Sequence, residues 1–273
     1  MSALFSIRNL RCGYQPERTV LAVEALDLPR HQLVFIVGVS GGGKSTLLET
    51  LGMMNNTIQP GSSVNFHPGE GLPATDLADL WGAQAGQLDL FRKQHFSFLF
   101  QKTNLIPNFS CGENMLLPAL FKGKGEEEAR TQVQGYMARL GLPADTFDKR
   151  ISNVSGGQRQ RLAFIRAMVA DFTVLFGDEP TGNLDPNTAR EVMTALREHL
   201  RAHEKTGIVV SHDIELANAF ADKIVPITLE GEGTTQRGTI LAGNILRRQP
   251  DGSWRDAHYT YESVVPHLQK LMA

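Results

Sequence analysis

Cysteine is scarce in this 273-residue chain: Cys12 and Cys111 stand alone, far apart and outside any CxxC spacing. That excludes a disulfide framework and a cysteine-based zinc site, and makes a reducing cytosol the expected setting. Long hydrophobic runs are missing too, with no stretch of about 18 apolar residues that could cross a bilayer. Any membrane-spanning helices are therefore expected from another polypeptide. The N-terminal MSALFSIRNL shows no basic segment followed by a long apolar one, so no secretory leader is expected. Neither sign of charge dominates, since 27 Lys and Arg face 29 Asp and Glu for a net charge of −2. Sequence-independent binding to nucleic acid needs a basic excess that this chain lacks. What remains is ordinary globular material, 41% hydrophobic and 21% charged, sufficient for a packed core and unlike disordered or low-complexity chains.

Short runs rich in Val, Ile and Phe alternate with longer segments of helical period, the pattern of buried parallel strands joined by helices. The spacing predicts strands at Leu33–Val37, Phe96–Phe100, Thr173–Phe176, Gly207–Val210 and Ile224–Thr228, and helices beginning at Lys44, Glu126, Gln158, Pro186 and Asp213. Gly61–Gly86 reads as loops with one strand at Val64–Phe66. Residues 102–153 read as a helical lobe inserted into a domain spanning 1–243. Residues 244–273 read as an accessory tail, a hairpin turning at Pro250-Asp251-Gly252 and then a frayed helix over Tyr261–Met272 interrupted by Pro266.

The first chemical signal follows the apolar run Leu33–Val37. Gly38-Val39-Ser40-Gly41-Gly42-Gly43-Lys44-Ser45-Thr46 matches G-x-x-x-x-G-K-[ST] between a strand and a helix. Glycines let successive backbone N–H groups turn inward around a phosphate, and the helix start adds a favourable dipole. That dipole supplies at most about 2 kcal/mol, whereas micromolar affinity needs roughly 8 kcal/mol. Lys44, several N–H groups and a metal must supply the balance, with Ser45 as the expected Mg²⁺ ligand.

A second glycine pair opens a helix in Val154-Ser155-Gly156-Gly157-Gln158. With Val174–Glu179, a strand ending in two carboxylates, the chain resembles the ATP-binding cassette (ABC) family over about residues 5–240. The resemblance implies a P-loop NTPase of the α/β class, a RecA-like parallel sheet core with an antiparallel β subdomain and an inserted helical subdomain. It implies ATP and Mg²⁺ as ligands. Tyr14 is similar to the aromatic that stacks on adenine, and Gly38, Ser40, Gly41, Gly42, Gly43, Lys44, Ser45 and Thr46 to the phosphate cradle. Gln101 resembles the glutamine that reaches Mg²⁺ and the attacking water. Ser155, Gly156, Gly157 and Gln158 match the signature that contacts nucleotide bound by the opposite subunit. Asp178 corresponds to the Mg²⁺ carboxylate, Glu179 to the general base, Asp185 to the loop joining the two sites, and His212 to the switch histidine. Phosphoryl transfer is mostly positioning and charge neutralisation, so these residue types suit it on chemical grounds as well.

The sequence departs from the family pattern at Val154, where leucine is usual, and at Pro29-Arg30-His31-Gln32, which lacks the usual glycine. His199 and His203 share a helix face without the glutamate of HExxH or a third ligand, and a solvated face is expected there. Arg247, Arg248 and Trp254 are expected to be surface and packing residues.

The wording around Gln101 and Asp178 is most similar to bacterial cassettes of the lipoprotein-release, macrolide-export and cell-division group. Each copy holds half of each site, so a head-to-tail pair of cassettes is implied. An integral membrane permease is the implied partner, and the cytoplasmic face of the inner membrane the implied location. A regulatory cassette that moves a membrane protein without transport is a second reading. A soluble cassette acting on DNA or ribosomes is a third, disfavoured by the missing basic excess; no nucleic-acid partner is expected.

Overall fold

The computed structural model describes residues 3–69, 71–84 and 86–272, so the outer domain limits at residues 1 and 273 lie outside it. The chain opens with two long strands, β1 (Ala3–Cys12) and β2 (Leu21–Pro29), paired antiparallel. Next comes β3 (Leu33–Gly38), buried along its whole length, which breaks at the glycine loop and resumes as helix α1 (Lys44–Leu51). Strand β4 (Ser63–Phe66) joins the outer edge of β1, and β5 (Thr75–Asp76) joins β4. The Gly- and Pro-rich stretch thus holds more than one strand. It also contains helix α2 (Leu77–Leu80), whose N-cap Asp76 accepts from the Ala78 N–H at 2.9 Å. Helix α3 (Gln87–His95) follows. These elements escape periodicity because what holds them is distant: Phe66 packs against the rings of Phe5, Phe91 and Phe96.

Beyond β6 (Phe96–Phe100) come helices α4 (Cys111–Phe121) and α5 (Glu126–Arg139), two short 3₁₀ turns at Ala144–Asp148 and Ile151–Asn153, and α6 (Gly156–Val169). The start of α4 is set by a reciprocal cap. Ser110 Oγ accepts from the Glu113 N–H at 3.1 Å, and Glu113 Oε2 accepts from the Ser110 N–H at 2.6 Å. Strand β7 (Val174–Asp178), α7 (Pro186–Ala202), β8 (Thr206–Ser211), α8 (Ile214–Phe220), β9 (Lys223–Glu230) and β10 (Arg237–Ile240) complete the alternation. The tail forms β11 (Leu246–Arg248), β12 (Trp254–Arg255), β13 (Thr260–Tyr261) and α9 (Val265–Leu271). Pro266 does not interrupt that last helix. It sits in its first turn, where a missing N–H costs nothing.

The strand order is β5-β4-β1-β2-β10-β9-β3-β8-β7-β6. From β9 to β6 every pairing is parallel, which makes an α/β core, while β1, β2, β4 and β5 form the antiparallel wing. Side chains of β3 alternate between two apolar cores. Leu33, Phe35 and Val37 face the helices α4 to α7, and Val34 and Ile36 face α1 and the antiparallel wing. A strand covered on both faces reads as one continuous apolar run, which is why β3 was legible. His31 takes the positive φ of 56° in the turn before β3. The turn keeps the left-handed conformation although the usual glycine is absent. Val154 is buried in the helix-side core, so the shorter side chain packs without trouble.

Candidate functional site

In an open parallel sheet, ligands bind beyond the carboxyl ends of the strands. Register brings several of the expected residues to that edge. Phe100 pairs with Asp178 and Asp178 with Val210, so Gln101, Glu179 and His212 emerge from three adjacent strands at nearly one level. Val37 pairs with Ser211, which places the glycine loop beside them.

The loop geometry explains its residue types. Gly41 and Gly43 hold φ of 79° and 85°, conformations that L side chains resist. Gly38 lies so close to β9 that an added Cβ would sit 2.8 Å from the Ile227 carbonyl oxygen. Lys44 is buried, and its Nζ donates to the Gly38 and Val39 carbonyls, each at 2.9 Å. Burial pushes its pKa down, while Glu179 and Asp178 oppose that shift. The ammonium is thus folded back over the loop, poised beside two carboxylates.

Ser45 Oγ donates to Asp178 Oδ1 at 3.2 Å. Burial, with smaller contributions from Glu179 and Glu49, raises the Asp178 pKa, against the Ser45 hydrogen bond and Lys44. A cation there would relieve the crowding of negative charge. Among the described residues no group of three or more His, Cys, Asp or Glu forms a cage for a metal. A hydroxyl, a carboxylate and an amide are nonetheless the hard oxygen donors that fit Mg²⁺, which is commonly bound through one or two carboxylates with waters and phosphates completing its shell.

Glu179 is held from three directions. Its N–H donates to the Val210 carbonyl at 3.0 Å, Gln101 Nε2 donates to Oε2 at 3.4 Å, and His212 Nδ1 lies 3.2 Å from Oε1. Its φ of 43° is left-handed for a residue with a side chain, a conformation that costs roughly 1–2 kcal/mol. Strain of this kind, over-determined by surrounding bonds, marks sites rather than scaffolds.

Other expected residues stand apart from this cluster. Ser155 and Gln158 bond to each other across the first turn of α6, at 2.9 and 3.2 Å. No Cβ on Gly156 or Gly157 would meet an atom within 4 Å, so that helix end is open. Among the described residues no hydrogen bond joins it to the glycine loop. Asp185 caps α7 by accepting from the Asn187 and Thr188 N–H groups, each at 3.1 Å, and hydrogen bonds led by Thr188 hold its carboxyl below the ordinary range. Tyr14 is exposed, and its hydroxyl donates to Glu49 Oε2 at 2.7 Å and lies 3.4 Å from Thr46 Oγ1. Ser40 is exposed on the loop and Gly42 is buried beneath it.

Sequence reasoning missed Glu49, which anchors Tyr14 from α1, and Asn183, whose Nδ2 donates to the Gln101 carbonyl at 3.4 Å. Neither lies in a recognisable spacing, because each contact crosses between elements. The expected solvated face at His199 is not what the structure shows. His199 is buried rather than solvated, hydrogen-bonded through Nδ1 to the Tyr136 hydroxyl and stacked on His203 at 4.5 Å. The amphipathic period of α7 puts it on the buried face, where the Tyr136 and Phe172 rings meet it. Trp254 is buried and Arg248 stacks on it, so these two are packing residues as expected.

The family model described as "ABC transporter" matches residues 23–182. The macrolide export ATP-binding/permease protein MacB of Rhodopseudomonas palustris is 36% identical over 225 residues, covering 81% of this chain and 32% of that protein. The same-named MacB 1 of Yersinia pseudotuberculosis is 31% identical over 263 residues, covering 93% of this chain and 38% of that protein. The chain thus spans about a third of the length of the curated relatives it matches. Among solved structures, the dimeric bacterial ABC transporter cassette MJ0796 superposes with a TM-score of 0.68 at 28% identity, over 81% of this chain and 93% of that one. For cbiO1 of Clostridium perfringens the TM-score is 0.69 at 21% identity, over 88% of each chain, a likeness of fold alone.

Proposed function

Because the chain belongs to the ABC transporter family, we propose that it is an ATP-binding and ATP-hydrolysing cassette that drives conformational change in a transmembrane partner. The observation that carries this reading is the convergence of Gln101 and His212 on the Glu179 carboxylate, beside Lys44 and the Ser45–Asp178 pair.

Lys44 and the N–H groups of Gly38–Thr46 hold the phosphate tail. Lys44 leaves the Gly38 and Val39 carbonyls to meet it, exchanging two neutral acceptors for a charged one. Tyr14 provides the adenine platform. Glu179 orients a water for in-line attack on the γ-phosphorus and accepts its proton as the new P–O bond forms and the bond to ADP breaks. Gln101 and His212 keep the carboxylate aimed, because each holds one of its oxygens. Ser45, Asp178 and Gln101 would hold Mg²⁺, which supplies charge neutralisation at the phosphates.

Ser155, Gly156, Gly157 and Gln158 present an open helix N-terminus suited to the nucleotide of a second copy. Asp185 lies at the start of α7 and relates one site to the other. Two copies arranged head to tail therefore complete two sites. We read residues 1–243 as the cassette, with 102–153 as its helical insertion and 244–273 as an accessory unit. No helix of the described residues is long and apolar enough to cross a membrane. The spanning partner is an integral permease, and the cassette works from the cytoplasmic face of the inner membrane. Closing the pair from a 1:99 to a 99:1 equilibrium takes about 5.5 kcal/mol of differential binding, a sum that nucleotide trapped at two sites supplies.

The decisive experiment replaces Glu179 with Gln and measures ATP turnover together with dimerisation. Turnover should collapse while ATP-dependent dimer accumulates; undiminished hydrolysis removes Glu179 from the reaction.

A further inference from the structure

The tail beyond residue 243 has no part in the chemistry described so far, yet it is bonded to the helix that follows His212. Strand β11 adds to the core sheet alongside β9, pairing Leu246 with Ile224 and Arg247 with Lys223. From that strand Arg248 reaches the C-terminal end of α8. Its Nε donates to the Ala221 carbonyl at 2.7 Å and its Nη2 to the Asn218 carbonyl. These carbonyls lie at a helix end, where intrahelical partners run out and a cation is favoured. The guanidinium is also stacked, its Cζ 4.4 Å from the centre of the buried Trp254 ring, a contact that favours this position. A second tie comes from the chain entering α9: the Val264 N–H donates to Asn218 Oδ1 at 3.4 Å. Val264 and Leu268 pack in the same core as Leu216, Ala217 and Phe220 of α8.

The opposite end of α8 leads directly to the site. Asp213 caps it, its Oδ1 accepting from the Leu216 N–H at 2.8 Å, and the Asp213 N–H donates to Ser211 Oγ at 3.0 Å. His212 lies between those two anchors with its side chain 65% exposed, so little packing fixes its ring. Its direction depends on where α8 and the end of β8 hold the backbone. Helix α8 has only seven residues and cannot fix its own position by length.

We propose that Arg248 is a positioning residue for hydrolysis: by clamping the carbonyl end of α8 to the hairpin, it holds His212 in register with Glu179. This rests on the hydrolytic reading above. The guanidinium fork serves because it satisfies two carbonyls at once while stacking on an aromatic face, which a lysine ammonium cannot do.

Arg248→Ala and Arg248→Lys, each alone and with His212→Ala, are compared with the unaltered chain for single-turnover ATP hydrolysis, nucleotide affinity and thermal unfolding. Small misplacements of reacting groups are costly. Arg248→Ala should lower the hydrolytic rate roughly tenfold with affinity changed less than about twofold, and Arg248→Lys should fall between. In the His212→Ala background neither change should lower the rate further, since a clamp acting through His212 has nothing left to position. Equal losses in both backgrounds, or a rate unaltered by Arg248→Ala, overturn the proposal. Should Arg248→Ala not fold, Arg248→Lys is read by the same criteria. If the unaltered chain binds ATP without hydrolysing it, the hydrolytic reading fails, a result distinct from an active enzyme indifferent to Arg248.

Discussion

His212 Nδ1 lies 3.2 Å from Glu179 Oε1, although the two residues leave different strands and Glu179 is held in a left-handed backbone conformation. The histidine thereby fixes one oxygen of the carboxylate while Gln101 fixes the other. Replacing His212 with Ala leaves Oε1 without that partner and the carboxylate free to turn. Hydrolysis should fall about 10²-fold with nucleotide affinity nearly unchanged. A rise in KM without loss of kcat, measured by steady-state turnover, would count against this placement.

Lys44 donates to two loop carbonyls and stands close to two carboxylates. If Lys44 holds phosphate as proposed, Lys44→Ala removes a charge-assisted bond, an interaction of about 1.5–3 kcal/mol. Labelled Mg-nucleotide should bind roughly 10–100-fold more weakly, and fold stability should change little. Retention of nucleotide at the original affinity contradicts the cradle.

His199 offers a pH-dependent test. Burial first, then His203, Lys205 and Arg139, pushes its pKa from 6.5 down to about 4, and Tyr136 occupies its Nδ1. Because the folded value lies below the unfolded one, the unfolded chain binds the extra proton between those two values. The stability given by neutral His199 is complete above about pH 6.5 and drains away as pH falls toward 4. Urea unfolding should show a loss of about 2 kcal/mol between pH 7 and pH 5 from this group, and His199→Gln should flatten the slope. An identical slope in the variant refutes the assignment.

Trp254 is almost completely buried and carries the Arg248 stack. Trp254→Ala should cost roughly 3–5 kcal/mol, read as earlier thermal unfolding that begins with hydrogen exchange in the tail. Selective loss of nucleotide binding without lost stability contradicts its role as a packing residue.

Legibility varied with how local the determinants are. The glycine loop was readable because positive φ and close approach to β9 act on adjacent residues. The strands β3, β7, β8 and β9 are readable because burial on both faces leaves a mostly apolar run, and the edge strand β6 because its phenylalanines recur although Phe98 and Phe100 are only half-buried. Within the expected helical lobe the start of α4 is not legible from periodicity although Ser110 and Glu113 spell its cap, since Gly112 and Pro118 within it blur the helical pattern. The short elements β5 and α2 span two and four residues, too few to carry a period of their own.

Sequence alone thus determined the chain's local devices: a glycine loop between a strand and a helix, a strand that ends in two carboxylates, and a glycine pair that opens a helix after Ser155. Each depends on backbone conformations and neighbours within a few residues. Tertiary structure decided which devices meet. Gln101 reaches Glu179 across 78 residues because β6, β7 and β8 pair in parallel register. Tyr14 meets Glu49, His199 meets Tyr136, and the tail reaches α8 only through packing between distant elements. Those contacts arise when apolar surfaces from remote segments exclude water together, and no spacing along one segment encodes their partner.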